Sequence, residues 1–80
     1  MHLEIITPDR KVFDGEVTAV RFPGTDGSFE VLNNHAPLIS ALKAGDVIIT
    51  GTGGGTFHIG GGIVEVLRNK VTVLAESASA

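Results

Sequence analysis

The sequence contains no cysteine, no tryptophan and no tyrosine among its 80 residues. The lack of cysteine excludes a disulfide framework, a thiolate metal centre and a cysteine nucleophile. Four phenylalanines are the only aromatic residues, too few for the stacking platforms of proteins that bind single-stranded nucleic acid. The formal net charge of −3 leaves no positive excess to neutralise phosphates, so we expect no nucleic-acid partner.

Long hydrophobic runs are also absent. No stretch approaches the roughly 18 consecutive apolar residues of a membrane-spanning helix, and the first residues do not join a basic segment to a signal-like apolar run. We therefore expect no signal peptide and no direct membrane insertion. A chain of 80 residues is too short for two cores, which predicts one domain over residues 1–76 and a frayed tail over residues 77–80.

Residues that favour strands and turns dominate the composition. The chain has 11 glycines, and valine, isoleucine and threonine are abundant throughout. Apolar and polar residues alternate over residues 56–59 and 70–73, the period of a strand with one buried face. The sequence therefore predicts an all-β fold of about eight to ten short strands, arranged as a two-sheet β-sandwich or a flattened barrel.

Local signals refine this prediction at three places. Within residues 16–22 the apolar positions change parity, which predicts a β-bulge and a bend near Thr18 and Ala19. The segment 68–70 separates two apolar runs and predicts a tight hairpin turn. Residues 36–44 have a weak helical spacing, but nearby asparagines and Pro37 favour a strand or turn there.

The glycine-rich run from Gly51 to Gly62 invites comparison with a phosphate-binding loop. Its glycine spacing does not match a dinucleotide fingerprint, and no Lys-Ser or Lys-Thr pair follows for a Walker loop. The run instead predicts a hairpin loop at Gly53–Gly55 and a strand bend or a close backbone approach at Gly60–Gly62.

No combination of side chains predicts catalysis or metal binding. The three histidines, His2, His35 and His58, are not at a spacing that places two of them on one face of a strand or helix. Asp26, Ser28 and His35 could form an acyl-transfer trio, but the Gly-x-Ser-x-Gly nucleophile motif is absent. We therefore expect no catalytic, metal-binding or cofactor-binding residues and no small-molecule substrate.

A small β-sandwich binding or carrier module with a glycine-rich loop is an alternative function for such a composition. A carrier presents its modified lysine in an exposed turn between characteristic neighbours. The flanks of Lys11, Lys43 and Lys70 do not match that pattern, although this class of function remains open on the residues alone.

Three stretches of the chain resemble the N-terminal β-sandwich domain of the epsilon subunit of the F-type ATP synthase. They are Val-Phe-Asp-Gly-Glu-Val at residues 12–17, the segment from Gly24 to Ile39 that contains His-Ala-Pro-Leu, and Gly-Gly-Ile-Val-Glu-Val at 61–66 followed by Val-Thr-Val-Leu-Ala-Glu at 71–76. Their order and spacing agree with the family over nearly the whole chain.

The resemblance implies a non-catalytic rotor subunit of the central stalk. Such a subunit links the gamma subunit to the ring of membrane-embedded c subunits and supports the coupling of ion transport to ATP synthesis. It implies a peripheral location at the cytoplasmic face of the energy-coupling membrane and no cofactor.

The resemblance also implies which residues contact partners. Those that carry over to the c-ring contact are Ser28, Phe29, Glu30 and His35. Those that carry over to the gamma contact are Ser40 and Leu42. The residues alone leave alternatives open, because Phe29 alternates with Val31 as a core residue would and His35 could fix a turn by hydrogen bonding.

The chain departs from the common family pattern after the third stretch. Most relatives continue into a helical hairpin that restrains ATP hydrolysis, and in some relatives binds ATP, whereas this sequence stops at Ala80. Those functions do not carry over. The chain is either a naturally short epsilon subunit or one cut at the domain boundary.

Overall fold

Eight β-strands and no helix are found in the computed structural model, which describes residues 1–51 and 53–80. The strands are β1 His2–Ile6, β2 Lys11–Glu16, β3 Ala19–Phe22, β4 Phe29–Leu32, β5 Leu38–Thr50, β6 Gly55–Leu67, β7 Lys70–Ala75 and β8 Ala78–Ser79. This confirms the predicted all-β class. Since the described residues contain no helix, none of them forms a helix long and apolar enough to span a bilayer.

The strands hydrogen-bond in the order β2-β1-β7-β6-β5-β3-β4, with β8 added beside β6. Neighbours pair in antiparallel fashion except for β1 and β7, which are parallel. β2 and β4 therefore end the main strand order, and β8 is a further, short edge strand beside β6. The sheet folds into two layers around one core.

The long strands β5 and β6 belong to both layers. In β5 the inward side chains change parity between Leu42 and Val47, and in β6 they change between Ile59 and Val64. We call β2, β1, β7 and the adjoining halves of β6 (62–67) and β5 (38–42) the first layer. The second layer consists of the other halves of β6 (55–60) and β5 (44–50) together with β3 and β4.

Gly62 allows β6 to turn from one layer to the other. A Cβ atom at this position would lie only 2.2 Å from the carbonyl oxygen of Leu74 on β7. Its φ of 156° and the φ of 114° at Gly61 also favour glycine. The predicted close backbone approach at Gly60–Gly62 is confirmed.

The core between the layers is apolar throughout. Its largest fully buried side chains include Phe22, Leu3, Ile5 and Ile59, and no polar or charged residue among those described is buried. Phe13 of the first layer meets Phe57 of the second in an edge-to-face contact with ring centroids 5.8 Å apart. Burial of one face of each layer therefore stabilises the fold.

The turns in the structure agree in part with those that the sequence predicts. Arg68 and Asn69 have φ values of 51° and 62°, which confirms the tight hairpin between β6 and β7. The chain bends at Thr18 as predicted, but the bend separates β2 from β3. The predicted bulge is therefore wrong, because the parity change marks the gap between two strands.

The end of the chain, expected to fray from residue 77, contributes β8. Ala78 pairs with Ile59 and Ser79 pairs with His58. Ala78 is half-buried against the core, which holds this short strand in place.

Candidate partner-binding surfaces

The residues that carry over to the c-ring contact lie along the edge strand β4 and its flanking turns. Ser28 immediately precedes β4, Glu30 is exposed within it, and His35 lies in the turn that follows. Ser28 and His35 are thus at opposite ends of the strand. The three residues mark one border of the sheet and do not form a compact cluster.

Arg21 on β3 joins two of these residues, although no sequence motif contains it. It is the cross-strand partner of Glu30, and its Nη1 donates a hydrogen bond of 3.3 Å to Ser28 Oγ. The alternation of β3 could have identified it, since Arg21 is the one polar residue between buried Val20 and Phe22. This border therefore carries a cation beside its carboxylate.

Phe29 and His35 are both engaged within the chain. The Phe29 ring lies 5.6 Å from that of Phe22 and is half-buried at the margin of the core. His35 Nδ1 lies 2.7 Å from Ala36 O, so this nitrogen must carry the proton and donate. The His35 amide donates to Leu32 O at 3.2 Å. These contacts match the alternatives of a core residue and a turn residue.

Two other segments of the chain hold the turn between β4 and β5. The ammonium group of Met1 donates to Asn33 Oδ1 at 2.7 Å, and the Asn34 amide donates to Asn69 Oδ1 at 2.8 Å. Asn34 has a φ of 63°, a conformation that asparagine tolerates well. The turn that presents His35 is therefore fixed by the start of the chain and by the β6–β7 hairpin.

The residues that carry over to the gamma contact, Ser40 and Leu42, point to the inner side of β5. Leu42 is only 4% exposed and belongs to the core, whereas Ser40 is half-buried. Because neighbouring side chains on a strand alternate, Ile39 and Ala41 occupy the outer side. The surface beside these two positions is therefore formed by their neighbours.

An exposed group of apolar side chains lies on the outer face of the first layer. We call Ile39, Ile63 and Leu74 the apolar patch; their exposed fractions are 67%, 42% and 52%. Ile63 and Leu74 are direct cross-strand partners, and Ile39 lies two positions along β5 from the partner of Ile63. Together with Glu65 and Thr72 they line a shallow groove of about 220 Å³.

The signal for this patch is visible in the sequence as pairs of apolar neighbours. Leu38-Ile39, Ile63-Val64 and Val73-Leu74 are consecutive apolar residues within strands. A strand with period two sends one member of each such pair outward. Three pairs on neighbouring strands therefore produce an exposed apolar surface, but only the strand order shows that they are neighbours.

A network of charged side chains occupies the other part of the same outer face. We call it the charged network; its members are His2, Glu4, Lys11, Asp14, Glu16 and Lys70. Lys11 Nζ lies 2.7 Å from Glu4 Oε2 and 3.1 Å from Asp14 Oδ2, while Lys70 Nζ lies 3.4 Å from Glu4 Oε1. His2 contacts Asp14 at 2.6 Å and Glu16 at 2.9 Å.

Lys11 controls the protonation of the carboxylates around it. Its hydrogen bonds lower the pKa of Glu4 and that of Asp14, and those carboxylates raise the pKa of Lys11, Glu4 more than Asp14. Ligand atoms of His2, Glu4 and Asp14 lie within 4.8 Å of one another, a spacing that could suit a metal ion. The Lys11 ammonium already occupies the carboxylate oxygens, so this set of atoms does not fit a cation site.

The other combinations of side chains suggested by the sequence are not assembled. Ser28 Oγ accepts from Arg21 and the His35 ring bonds to Ala36 O, so the acyl-transfer trio is not formed. The glycine-rich run includes Thr52, which lies outside the described residues.

A comparison with protein families decides the assignment. The family model described as ATP synthase, Delta/Epsilon chain, beta-sandwich domain matches residues 1–80. The chain belongs to this family. The resemblance found in the three stretches of the sequence is confirmed.

Individual members of the delta/epsilon family are similar over nearly all of the chain. An ATP synthase epsilon chain from Nitratidesulfovibrio vulgaris is 49% identical over 81 residues, which cover 98% of this chain and 59% of the relative. One from Chlorobium limicola is 44% identical over 79 residues, covering 96% of this chain and 90% of the relative. The chain therefore spans about six tenths of the first relative and nine tenths of the second.

Solved structures share the fold of this family. A chain in the central stalk/c-ring structure of the Tetrahymena thermophila mitochondrial ATP synthase superposes with a TM-score of 0.86 at 22% identity. The match covers 99% of this chain and 65% of that chain. It shows that the two chains have the same fold.

Proposed function

We propose that this chain is a non-catalytic rotor subunit of an F-type ATP synthase, placed in the central stalk between the gamma subunit and the c ring. The observation that carries the proposal is the family match over residues 1–80, together with relatives named ATP synthase epsilon chain. In this role the chain supports the coupling of ion transport to ATP synthesis and transforms no substrate itself. Its location is peripheral, at the cytoplasmic face of the energy-coupling membrane.

The apolar patch is the proposed docking surface for gamma. Ile39, Ile63 and Leu74 lie on three neighbouring strands and are exposed together. A contiguous exposed apolar group of this kind is typical of an interaction site. A helical or extended segment of gamma that covers them would remove this apolar surface from water. Ser40 and Leu42 remain proposed as supporting positions, because they set the course of β5 from its inner side.

The edge strand β4 is the proposed border toward the c ring. It pairs with β3 on one side only, and Ser28, Glu30 and His35 mark its exposed length. Polar loops of the ring suit such a border, because unpaired strand groups and a carboxylate can both accept or donate hydrogen bonds. Phe29 supports this border from within by packing on Phe22.

Native mass spectrometry of the purified chain mixed with gamma from the same genome tests the gamma contact. We expect a one-to-one complex from wild type and from Ile48→Ser, and an affinity lower by about tenfold or more, equal to ~1.4 kcal/mol, from Ile63→Ser. The two isoleucines are matched, since Ile63 is 42% exposed in the apolar patch and Ile48 is 44% exposed on the second layer.

Equal losses from the two serine variants would show that gamma does not dock on the patch. Failure of the wild-type chain to bind gamma would overturn the rotor assignment. Circular dichroism of both variants confirms that the folded state is retained.

A further inference from the structure

β2 is an edge strand that few contacts attach to the rest of the sheet. It pairs with β1 alone, and the register of this pair is irregular. Ile5 lies opposite Phe13, but the next residue, Ile6, lies opposite Lys11. Val12 and Phe13 are only half-buried on its inner side. Side chains on the outer face are therefore well placed to decide how firmly β2 is held.

His2 reaches from β1 to two carboxylates of β2. Its Nε2 lies 2.6 Å from Asp14 Oδ1, and its Nδ1 lies 2.9 Å from Glu16 Oε2. An ionised carboxylate can only accept a hydrogen bond, and a neutral imidazole has a single N–H. Both contacts can be hydrogen bonds at the same time only when the ring is an imidazolium.

We propose that His2 is a proton-operated clamp, whose imidazolium fastens edge strand β2 to β1 and whose deprotonation releases one of the two carboxylates. The contact to Glu16 joins direct cross-strand partners, and the contact to Asp14 is diagonal. The clamp therefore spans two successive outward positions of β2. Its release weakens β2 at the end opposite the register slip.

The charges around the clamp define when it operates. On β2, Asp14 gives its other oxygen to Lys11, and Glu16 has its other oxygen 3.7 Å from the Met1 ammonium. On β1 and β7, Glu4 contacts Lys11 and Lys70, and Lys70 lies opposite His2 in register.

Three carboxylates and three cations of this set balance when His2 is neutral. The total charge therefore does not require a proton on the ring, and the neighbouring cations oppose one. The two direct contacts with carboxylate oxygens stabilise the protonated ring.

The direction of the pH dependence follows from the contact with Glu16. That hydrogen bond, opposed by partial desolvation, raises the pKa of His2 above its ordinary value near 6.5. A raised pKa means that the clamp contributes fully below about pH 6.5 and is lost as the pH rises through the higher value. The clamp is therefore closed in mildly acidic solution and opens as the pH rises through the raised pKa.

His58 offers a matched control within the same chain. Its Nδ1 lies 2.9 Å from Asp46 Oδ1, which resembles one arm of the clamp. The pair joins β6 and β5, which are interior strands, and the ring has one carboxylate contact rather than two. His58→Gln therefore removes a histidine–carboxylate contact without altering any contact of β2.

The test uses nuclear magnetic resonance on the full chain. The His2 ring is titrated, and amide protection factors, corrected for intrinsic exchange, are measured for residues 12–16 over a range of roughly pH 5.5 to 8.5. We expect a His2 midpoint above its ordinary value, lowered in Asp14→Asn and in Glu16→Gln. Protection of β2 should fall several-fold across the titration in wild type and in His58→Gln.

His2→Gln should give low β2 protection that does not vary with pH, while β5 amides stay protected and report an intact fold. A His2 midpoint at or below about 6.5 would overturn the proposal. The proposal would equally fail if β2 protection in His2→Gln depended on pH as it does in wild type.

Discussion

The outer faces of the two layers differ although both are made of exposed strands. On the first layer the apolar patch gathers Ile39, Ile63 and Leu74 on neighbouring strands. On the second layer the exposed apolar residues Ile48 and Leu32 are separated by β3. Grouping, and not the mere presence of apolar residues, is therefore the reason that the apolar patch, and not the second layer, is proposed as a docking surface.

The charges of the two faces differ in the same way. The first layer links six side chains into the charged network, whereas the described part of the second layer holds the single contacts of Arg21 with Ser28 and of His58 with Asp46. Isolated exposed pairs contribute little to stability, but a network orders several side chains together. The first layer thus presents a linked set of charges, where the described part of the second layer presents separate contacts.

The largest expected effect comes from Gly62→Ala, where β6 passes between the layers. A Cβ atom would collide with Leu74 O and separate β6 from β7 beneath the apolar patch. We expect the free energy of unfolding to fall by about 3 kcal/mol or more, measured by urea denaturation. Gly55→Ala is the control, because no atom lies within 4 Å of its added Cβ. Similar losses in both variants would show that the close approach does not matter.

Reversing the charge of Glu30 tests the border of the second layer. Glu30→Arg should lower affinity for the c ring by about tenfold, or ~1.4 kcal/mol, if a basic loop of the ring faces this carboxylate. It also places two arginines opposite each other, since Arg21 is the partner of Glu30. The double variant Arg21→Glu, Glu30→Arg restores the cross-strand pair and separates folding from binding.

The affinity of each Glu30 variant for the isolated c ring is measured by co-sedimentation. Glu65→Arg on the first layer should leave ring affinity unchanged. An unchanged affinity in Glu30→Arg would remove Glu30 from the interface.

Pro37→Gly should have a smaller effect on the turn that connects the second layer to the first. Pro37 is exposed, so the change acts mainly by giving the unfolded chain more freedom, at about 0.4–1 kcal/mol. A lower melting temperature in calorimetry is the expected result. An unaltered value would mean that the Met1 ammonium and Asn69 hold the turn without help from proline.

Lys11→Met should give the smallest effect, and one that depends on pH. Lys11 lowers the pKa values of Glu4 and Asp14, so its contribution is present above their ordinary pKa values and is lost as the pH falls through the lowered values. The variant should therefore begin to unfold at a higher pH in an acid titration followed by circular dichroism. Lys43→Met is the control, because Lys43 forms no ion pair with any described residue. Identical acid midpoints for the two variants would contradict the prediction.

The strand content and the family could be predicted from the sequence, because alternation, turn residues and three long motifs are local. The outward face of β5 could not be predicted. The resemblance points to Ser40 and Leu42, yet the parity of β5 changes between Leu42 and Val47, so only pairing with β6 decides which face is outward. The charged network could not be predicted from the sequence either, because its members lie on three strands whose order is not a local property.

The two long strands also determine how the chain responds to mechanical load. β5 and β6 form a ribbon of eleven residue pairs that runs through both layers. A pull along this ribbon loads its hydrogen bonds side by side in shear, whereas a pull across an edge strand would peel them apart one at a time. Twist applied to one outer face is therefore carried to the other by continuous backbone, and does not depend on side chains sliding past each other in the core.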